Sequence, residues 1–493
     1  MKTLKTFLLL GIIFVFPFQP SLAYEHSAPK NIILLIGDGM GFAQVQLTRL
    51  VYGHLNMEEF PYTGFLLTDS LSGEVTDSAA AGTAIATGVK TYNRMISMLN
   101  ISKGYYVNLT TLLEIAQMLG KSTGLVTTTR ITHATPAVFA SHVPERDMEK
   151  EIAKQLILHN VTVLMGGGRK KFSRETLEFA KKLGYTIVYT RDELMNVSEV
   201  RKLLGLFADS HIPFVLDRKE SDVGLLEMTK KAIEILEKNP NGFFLMIEGG
   251  RIDHACHLND VASTVAETKE FDDVVGYILE YAKKRGDTLV IVLADHETGG
   301  LAVGLNYGRS IKINEIKNIN ASVEKIAREI IEKGDIEGVL RRYTGLTFTE
   351  EEINAIKEIR DPYKIANILG EIISKKLGVG FASHKHTGEP VPLLAYGPGA
   401  ENFRGFMHHI DVAKTIAKLM LFGNKMLHAE ISSRPSSVKG DITGDYKVTP
   451  EDAYVALTLF LGEKVDTRIE ELIDMDKNGI IDLGDVFRIY SHS

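Results

Sequence analysis

Six stretches of the chain are apolar at nearly every position rather than at alternate ones: residues 31–37, 124–128, 161–165, 243–247, 288–293 and 391–396. A strand apolar on both sides must be covered on both sides, which suits the centre of a parallel sheet. Segments with apolar residues three and four apart separate most of these runs. The alternation predicts an α/β fold with a doubly wound, mostly parallel sheet and helices on both faces. Such sheets bind ligands beyond the carboxyl ends of their strands, so chemistry is expected just past the end of each run.

Carboxylates and imidazoles stand at those places. Asp38 comes after the first run, His133, Thr135 and Arg146 after the second, Glu248, Asp253, His254 and His257 after the fourth, and Asp295 and His296 after the fifth. His386 lies just ahead of the sixth. Asp253 and His257 stand four apart, so a helix starting near Ile252 places both on one face, where they can meet a single ion or simply face solvent. Between the first two runs lies Thr76-Asp77-Ser78-Ala79-Ala80-Ala81-Gly82. Ser78 falls where a helix should begin, and reads either as its N-cap or as a nucleophile at a helix end that favours an anion. No histidine adjoins it in sequence, so activation would fall to a metal ion. Arg146 reads as a surface ion pair or as a two-pronged grip on phosphate or sulfate.

Composition narrows the partners. The 493 residues are 24% charged with a net charge of -7, and no long basic block interrupts them, which argues against nucleic acid as a specific partner. The single cysteine, Cys256, excludes an intrachain disulfide, leaving packing, ion pairs and bound metal to hold the protein together. Residues 1–23 have the charged start, apolar core and small-residue end of a signal peptide, which predicts a secreted, extracellular or cell-surface-associated protein. Residues 24–430 read as the main domain, with a Lys, Glu and Ile-rich helical insertion at about 307–380, and residues 431–439 as a linker.

Residues 440–493 read as a small all-α module built on two calcium loops. The first offers Asp441, Thr443, Asp445, the carbonyl of Lys447, and Asp452; the second offers Asp474, Asp476, Asn478, the carbonyl of Ile480, Asp482 and Asp485. Oxygens at these positions of a twelve-residue loop match what calcium needs. Gly479 supplies the tight turn in the second loop, whereas Tyr446 stands there in the first, so weaker binding is expected in the first.

Asp38-Gly-Met-Gly, Thr76-Asp-Ser-Ala-Ala, Glu248-Gly-Gly-Arg-Ile-Asp-His-Ala-Cys-His, Asp295-His-Glu-Thr-Gly and His386-Thr-Gly, in that order, resemble the alkaline phosphatase family over roughly residues 28–425. The resemblance implies a secreted, metal-dependent phosphomonoesterase that acts on small phosphomonoesters through a phosphoserine at Ser78. It implies two zinc ions, one held by Asp253, His257 and His386 and the other by Asp38, Asp295 and His296. It also implies a magnesium at Asp38, Thr135 and Glu248, and Arg146 clamping phosphate. Some bacterial members have Asp and Lys where this chain has His133 and His254, which puts the identity of the third metal in question and suggests that these histidines act through water. Members are commonly dimeric, so a homodimer is implied. The C-terminal module is similar to a dockerin, implying a cohesin-like partner. The competing readings are a phosphodiesterase or sulfatase of the same superfamily, or a surface attachment protein acting mainly through its dockerin-like module.

Overall fold

A computed structural model describes residues 28–305, 311–423, 438–442, 447–460 and 472–492. The signal peptide, residues 431–437 of the linker, Thr443 and Asp445 lie outside the described residues.

A ten-stranded sheet runs through the main domain. Its strands in chain order are β1 Asn31–Gly37, β2 Tyr62–Leu67, β3 Ser122–Arg130, β4 Val163–Gly167, β5 Thr186–Val188, β6 Leu203–Leu206, β7 Phe243–Gly249, β8 Thr288–Leu293, β9 Val391–Tyr396 and β10 Gly405–His408. Their order across the sheet is β10-β2-β9-β8-β1-β7-β3-β4-β6-β5. From β8 to β5 every pairing is parallel; β9 runs antiparallel to both β8 and β2, so the sheet is mostly parallel. All six apolar runs are strands, although residues 161–165 slide two places to Val163–Gly167. The four strands without a matching run are short or stand towards the edges. β2 is buried only in part, so its sequence shows no continuous apolar stretch.

Every residue of β1, β7 and β8 is buried, which requires helices on both faces. Those that matter for the site are α1 Phe42–Tyr52, α2 Ser78–Thr87, α3 Leu112–Met118, α4 Ala134–Ala140, α5 Glu149–Leu158, α6 Arg251–His257 and α7 Val261–Arg285. Between Ile313 and Leu377 five further helices form a core of their own from Ile326, Leu340, Ile365 and Leu369. That core closes against Leu47 and Val51 of α1 and Val261 at the start of α7. Among the described residues no helix is long and apolar enough to cross a membrane.

The chain then returns through α8 His409–Phe422 to the C-terminal helices α9 Pro450–Phe460 and α10 Leu483–His492. These helices pack on the main domain. Phe422 meets Tyr454 and Tyr490 edge-on, each at 5.5 Å between ring centres, and Lys414 sits 4.6 Å above Phe460. Asp482 accepts the backbone N–H of Thr110 at 2.8 Å and that of Gly484 at 2.6 Å. Its carboxylate thus joins the seam with α3 to the start of α10.

Candidate active site

The strand ends deliver the chemistry to one place. β1 breaks at Gly39, whose φ of +71° and close approach to Asp253, 2.8 Å from an added Cβ to its Cα, leave room for no side chain. Asp38 is thereby turned out at the end of the central strand. The N–H of Gly39 donates to Asp295 Oδ1 at 3.1 Å, joining the ends of β1 and β8. Helix α6 follows β7 directly and puts Asp253 and His257 on one face, Oδ1 to Nε2 3.3 Å. A short ladder pairs Thr298 with His386 and so carries His386 in from a distant part of the chain.

Ser78 is not a cap. Asp77 takes that position, accepting the N–H of Ala80 at 3.0 Å, and Ser78 is the first residue of α2. Its hydroxyl is therefore free of the helix backbone and stands 3.2 Å from His296 Nε2.

Three groups of donors surround it. In the first, the Nε2 atoms of His257 and His386 face each other at 3.2 Å and lie 3.3 and 3.6 Å from Asp253 Oδ1. Both rings use Nδ1 to donate to a carbonyl, His257 to His384 at 2.6 Å and His386 to Thr76 at 3.0 Å. In the neutral rings both Nε2 atoms are then bare, and two lone pairs pointing at each other are reconciled by a cation between them. In the second group, His296 Nε2 is 3.3 Å from Asp295 Oδ2 and 3.7 Å from Asp38 Oδ1. Thr298 donates its hydroxyl to Asp253 Oδ1 at 2.6 Å and so can only accept from His296 Nδ1, 3.2 Å away, which leaves His296 Nε2 bare as well. Asp38, His133 and Glu248 form the third group, with Thr135 beside Glu248.

Several of these atoms are buried without any hydrogen-bond partner: both oxygens of Asp38, Oδ2 of Asp295, Oε1 of Glu248, Oγ1 of Thr135 and Nδ1 of His133. A buried carboxylate oxygen left unpaired is costly, so a set of them converging on one spot marks a place built for cations. Electrostatics agree. Burial, with Asp295 and Asp253 nearby, raises the Asp38 carboxyl well above the usual range, and burial raises Glu248 and pushes Asp295 up to about 8. Asp253 goes the other way: burial alone would raise it, but His257, His386 and His296 outweigh that and hold it low. Burial lowers His296, His133 and His254 well below the ordinary imidazole value, which favours the neutral ring in all three, and His296 keeps its bare Nε2 towards the carboxylates. Oxygen and nitrogen donors of this kind suit zinc, and the oxygens of Asp38, Glu248 and Thr135 suit a harder ion.

The centre opens into a cavity of about 420 Å³ lined by Ser78, Arg146, His133, His257, Lys385 and His386 among others. Arg146 reaches it with Nη1 on Asp77 Oδ2 at 2.9 Å and Nη2 on His133 Nε2 at 3.2 Å.

Comparison with known proteins places this arrangement. The alkaline phosphatase family model matches residues 29–422. The chain belongs to the alkaline phosphatase family. Alkaline phosphatase 4 of Bacillus subtilis is 38% identical over 417 residues, covering 80% of this chain and 89% of its own. A cold-active alkaline phosphatase from a psychrophilic Shewanella superposes with a TM-score of 0.74 at 32% identity, covering 79% of this chain and 99% of its own. A variant of the TAB5 alkaline phosphatase with Mg bound in the M3 site gives a TM-score of 0.62 at 30% identity, covering 80% of this chain and 99% of its own.

Within this alkaline phosphatase fold some contributors were not assigned a role from the sequence. Thr298 bridges the first two donor groups, and Thr129 bonds Glu248 at 3.2 Å as Thr127 also does. His211 meets His254 and His133 edge-on, with ring centres 4.3 and 5.5 Å away. Arg94, at a φ of 74°, pairs with Glu145 and Asp147 and so anchors the loop that presents Arg146. His211 and Arg94 come from segments whose closeness to the site exists only in three dimensions. His254 accepts from Arg251 Nη1 through Nδ1 at 3.0 Å, so its neutral ring carries the proton on Nε2. Its Nε2–H is left to donate a hydrogen bond.

In the C-terminal segment Asp474, Asp476 and Asp485 lie within 4.8 Å of one another around Gly479, whose φ is +82°. Asp474 also accepts the N–H groups of Asn478 and Gly479 at 3.0 Å each, and Asp476 pairs with Arg488 at 2.6 Å. In the first loop Asp452 accepts the N–H of Ile442 at 2.7 Å and that of Thr449 at 2.8 Å.

Proposed function

We propose that this alkaline phosphatase family hydrolase is an exported phosphomonoesterase that forms a phosphoserine at Ser78, with two zinc ions and one magnesium held by the three donor groups. The observation that carries the reading is the set of bare imidazole nitrogens and unpaired buried carboxylate oxygens gathered around one free hydroxyl. Asp253, His257 and His386 would hold one zinc, Asp38, Asp295 and His296 the other, and Asp38, Glu248 and Thr135 the magnesium, with His254 acting through water. Bound there, the cations would lower the pKa of the hydroxyl and neutralise charge on the phosphoryl and leaving oxygens.

The chain's own groups do the rest. Ser78 Oγ, set by the first turn of α2, attacks phosphorus in line, and the helix N-terminus favours the anion that arrives. Arg146 grips two phosphoryl oxygens with a planar guanidinium held in place by Asp77, and this fixed positive charge favours the spread charge of the transition state. Thr298 keeps His296 turned with Nε2 towards the hydroxyl. Water then releases phosphate and restores Ser78. A terminal phosphate dianion suits Arg146 better than a diester. Comparison of p-nitrophenyl phosphate, its bis-ester and its sulfate tests this: the monoester should turn over fastest, and faster turnover of the diester or sulfate would refute the reading.

For the C-terminal segment the proposal is calcium binding at Asp474, Asp476, Asn478 and Asp485 with the carbonyl of Ile480, weaker binding at Asp441 and Asp452, and docking of a cohesin-like partner. Support comes from the close carboxylates and the turn at Gly479. Loss of calcium-dependent attachment in a chain ending before Ser432 would agree; attachment that survives the deletion would refute it.

A further inference from the structure

Away from the catalytic centre, α3, the loop after α4 and the end of α5 bring Glu114, His142 and His159 together. His142 Nε2 lies 3.2 Å and His159 Nδ1 3.4 Å from the same carboxylate oxygen, Oε1 of Glu114. The two rings stand 5.6 Å apart, centre to centre. A direct imidazolium–carboxylate hydrogen bond closes to about 2.7–2.9 Å. Donors arranged tetrahedrally at about 2.0–2.1 Å from a zinc-sized ion stand roughly 3.3–3.4 Å from each other. The spacings found here, 3.2 and 3.4 Å, lie at the long end of the first kind and match the second.

The orientation of each group fits the same reading. Glu114 spends its other oxygen, Oε2, on the N–H of Thr111 at 2.8 Å in the capping box of α3, which leaves Oε1 to the two imidazoles. His142 donates Nδ1–H to the carbonyl of Ser97 at 2.8 Å, which turns Nε2 towards Oε1; without metal the neighbouring Glu114 outweighs burial and raises the imidazole pKa, and a metal ion would take the place of that Nε2 proton. A ring N–H donated to a backbone carbonyl is the usual outer support of a ligating histidine. The backbone of His159 is fixed by Gln117 Nε2 on its carbonyl at 2.8 Å. The His142 side chain is 8% exposed and that of His159 24%, so the cluster is shielded on one side and open to a water on the other.

We propose that Glu114, His142 and His159 bind one divalent transition-metal ion, zinc by the nature of the donors, at a site separate from the catalytic one. Two imidazoles, one carboxylate and an open fourth position suit zinc better than magnesium or calcium. The ion would tie together three elements whose sequence separation is large.

The test uses the full-length holoenzyme, equilibrated with zinc, freed of excess metal and analysed by mass spectrometry for metal per chain. Glu114→Gln and His159→Gln should each carry one zinc fewer than wild type while phosphatase turnover is retained. Equal zinc in wild type and both variants would overturn the proposal. Should the variants fold poorly, anomalous diffraction from wild-type crystals at the zinc edge gives the same answer: a peak among Glu114 Oε1, His142 Nε2 and His159 Nδ1 supports the site, and peaks at the catalytic centre alone overturn it.

Discussion

Thr298→Val removes one hydroxyl and keeps the shape of the side chain. In the wild type that hydroxyl donates to Asp253 Oδ1 at 2.6 Å and stands 3.2 Å from His296 Nδ1, with Thr298 wholly buried. A hydrogen bond to a charged group is worth about 1.5–3 kcal/mol, and the His296 N–H is left without an acceptor. The perturbation thus unfixes a ligand in each of two donor groups at once. A loss of that size weakens metal retention by roughly 10- to 100-fold, the range expected when an outer partner of a metal ligand is removed. The assay is residual activity against chelator concentration, with p-nitrophenyl phosphate as substrate. Thr298→Ser, which restores the hydroxyl, should recover most of the loss. Chelator sensitivity and kcat/KM both unchanged in Thr298→Val would refute the reasoning, because the tautomer of His296 would then not depend on this hydroxyl.

Arg146→Ala should lower kcat/KM for a phosphomonoester by about 100-fold, the worth of two charge-assisted hydrogen bonds, and Arg146→Lys should recover only part because it keeps the charge without the fork; steady-state kinetics decide, and full activity in the lysine variant would count against a bidentate grip. His409 is buried, donates Nε2–H to the carbonyl of Ala294 at 3.0 Å, and has its pKa lowered by burial to about 4. The unfolded chain therefore binds more protons between the ordinary value and 4, so this residue's contribution to stability is whole above about pH 6.5 and declines below it, by about 2 kcal/mol at pH 5. Urea titrations at pH 7.5 and 5 should show that His409→Gln loses less stability on acidification than wild type, and equal losses would contradict the assignment. A chain ending before Ser432 should be less stable than the full chain, since it bares Phe422 and removes the partner of the Thr110 N–H; an unchanged melting temperature would show that the C-terminal helices contribute nothing.

The centre of the fold was legible because buried parallel strands cannot hide their composition: β1, β7 and β8 are apolar throughout, and Asp38, Glu248 and Asp295 stand out where they end. The spacing of Asp253 and His257 was legible for the same reason, since a helix fixes which residues share a face. The short strands β5 and β6 and the partly buried β2 offered no such pattern. At α2 the chemistry of capping ranked serine and aspartate alike, and only the backbone shows that Asp77 takes the cap and frees Ser78. His211 and Arg94 were silent because their roles depend on distances between segments far apart in sequence, and Thr298, though inside the Asp295 motif, shows its bridge to Asp253 only in three dimensions. Asp482 fitted a calcium loop by spacing, yet in three dimensions Thr110 competes for it.

Anomalous diffraction at the zinc edge from crystals of the full chain grown with zinc and magnesium tests the central claim most directly. Two strong peaks are expected, one among Asp253, His257 and His386 and one among Asp38, Asp295 and His296 beside Ser78 Oγ. Crystals that show no zinc at either place, or that hold the serine hydroxyl turned away from the metal, would contradict the account.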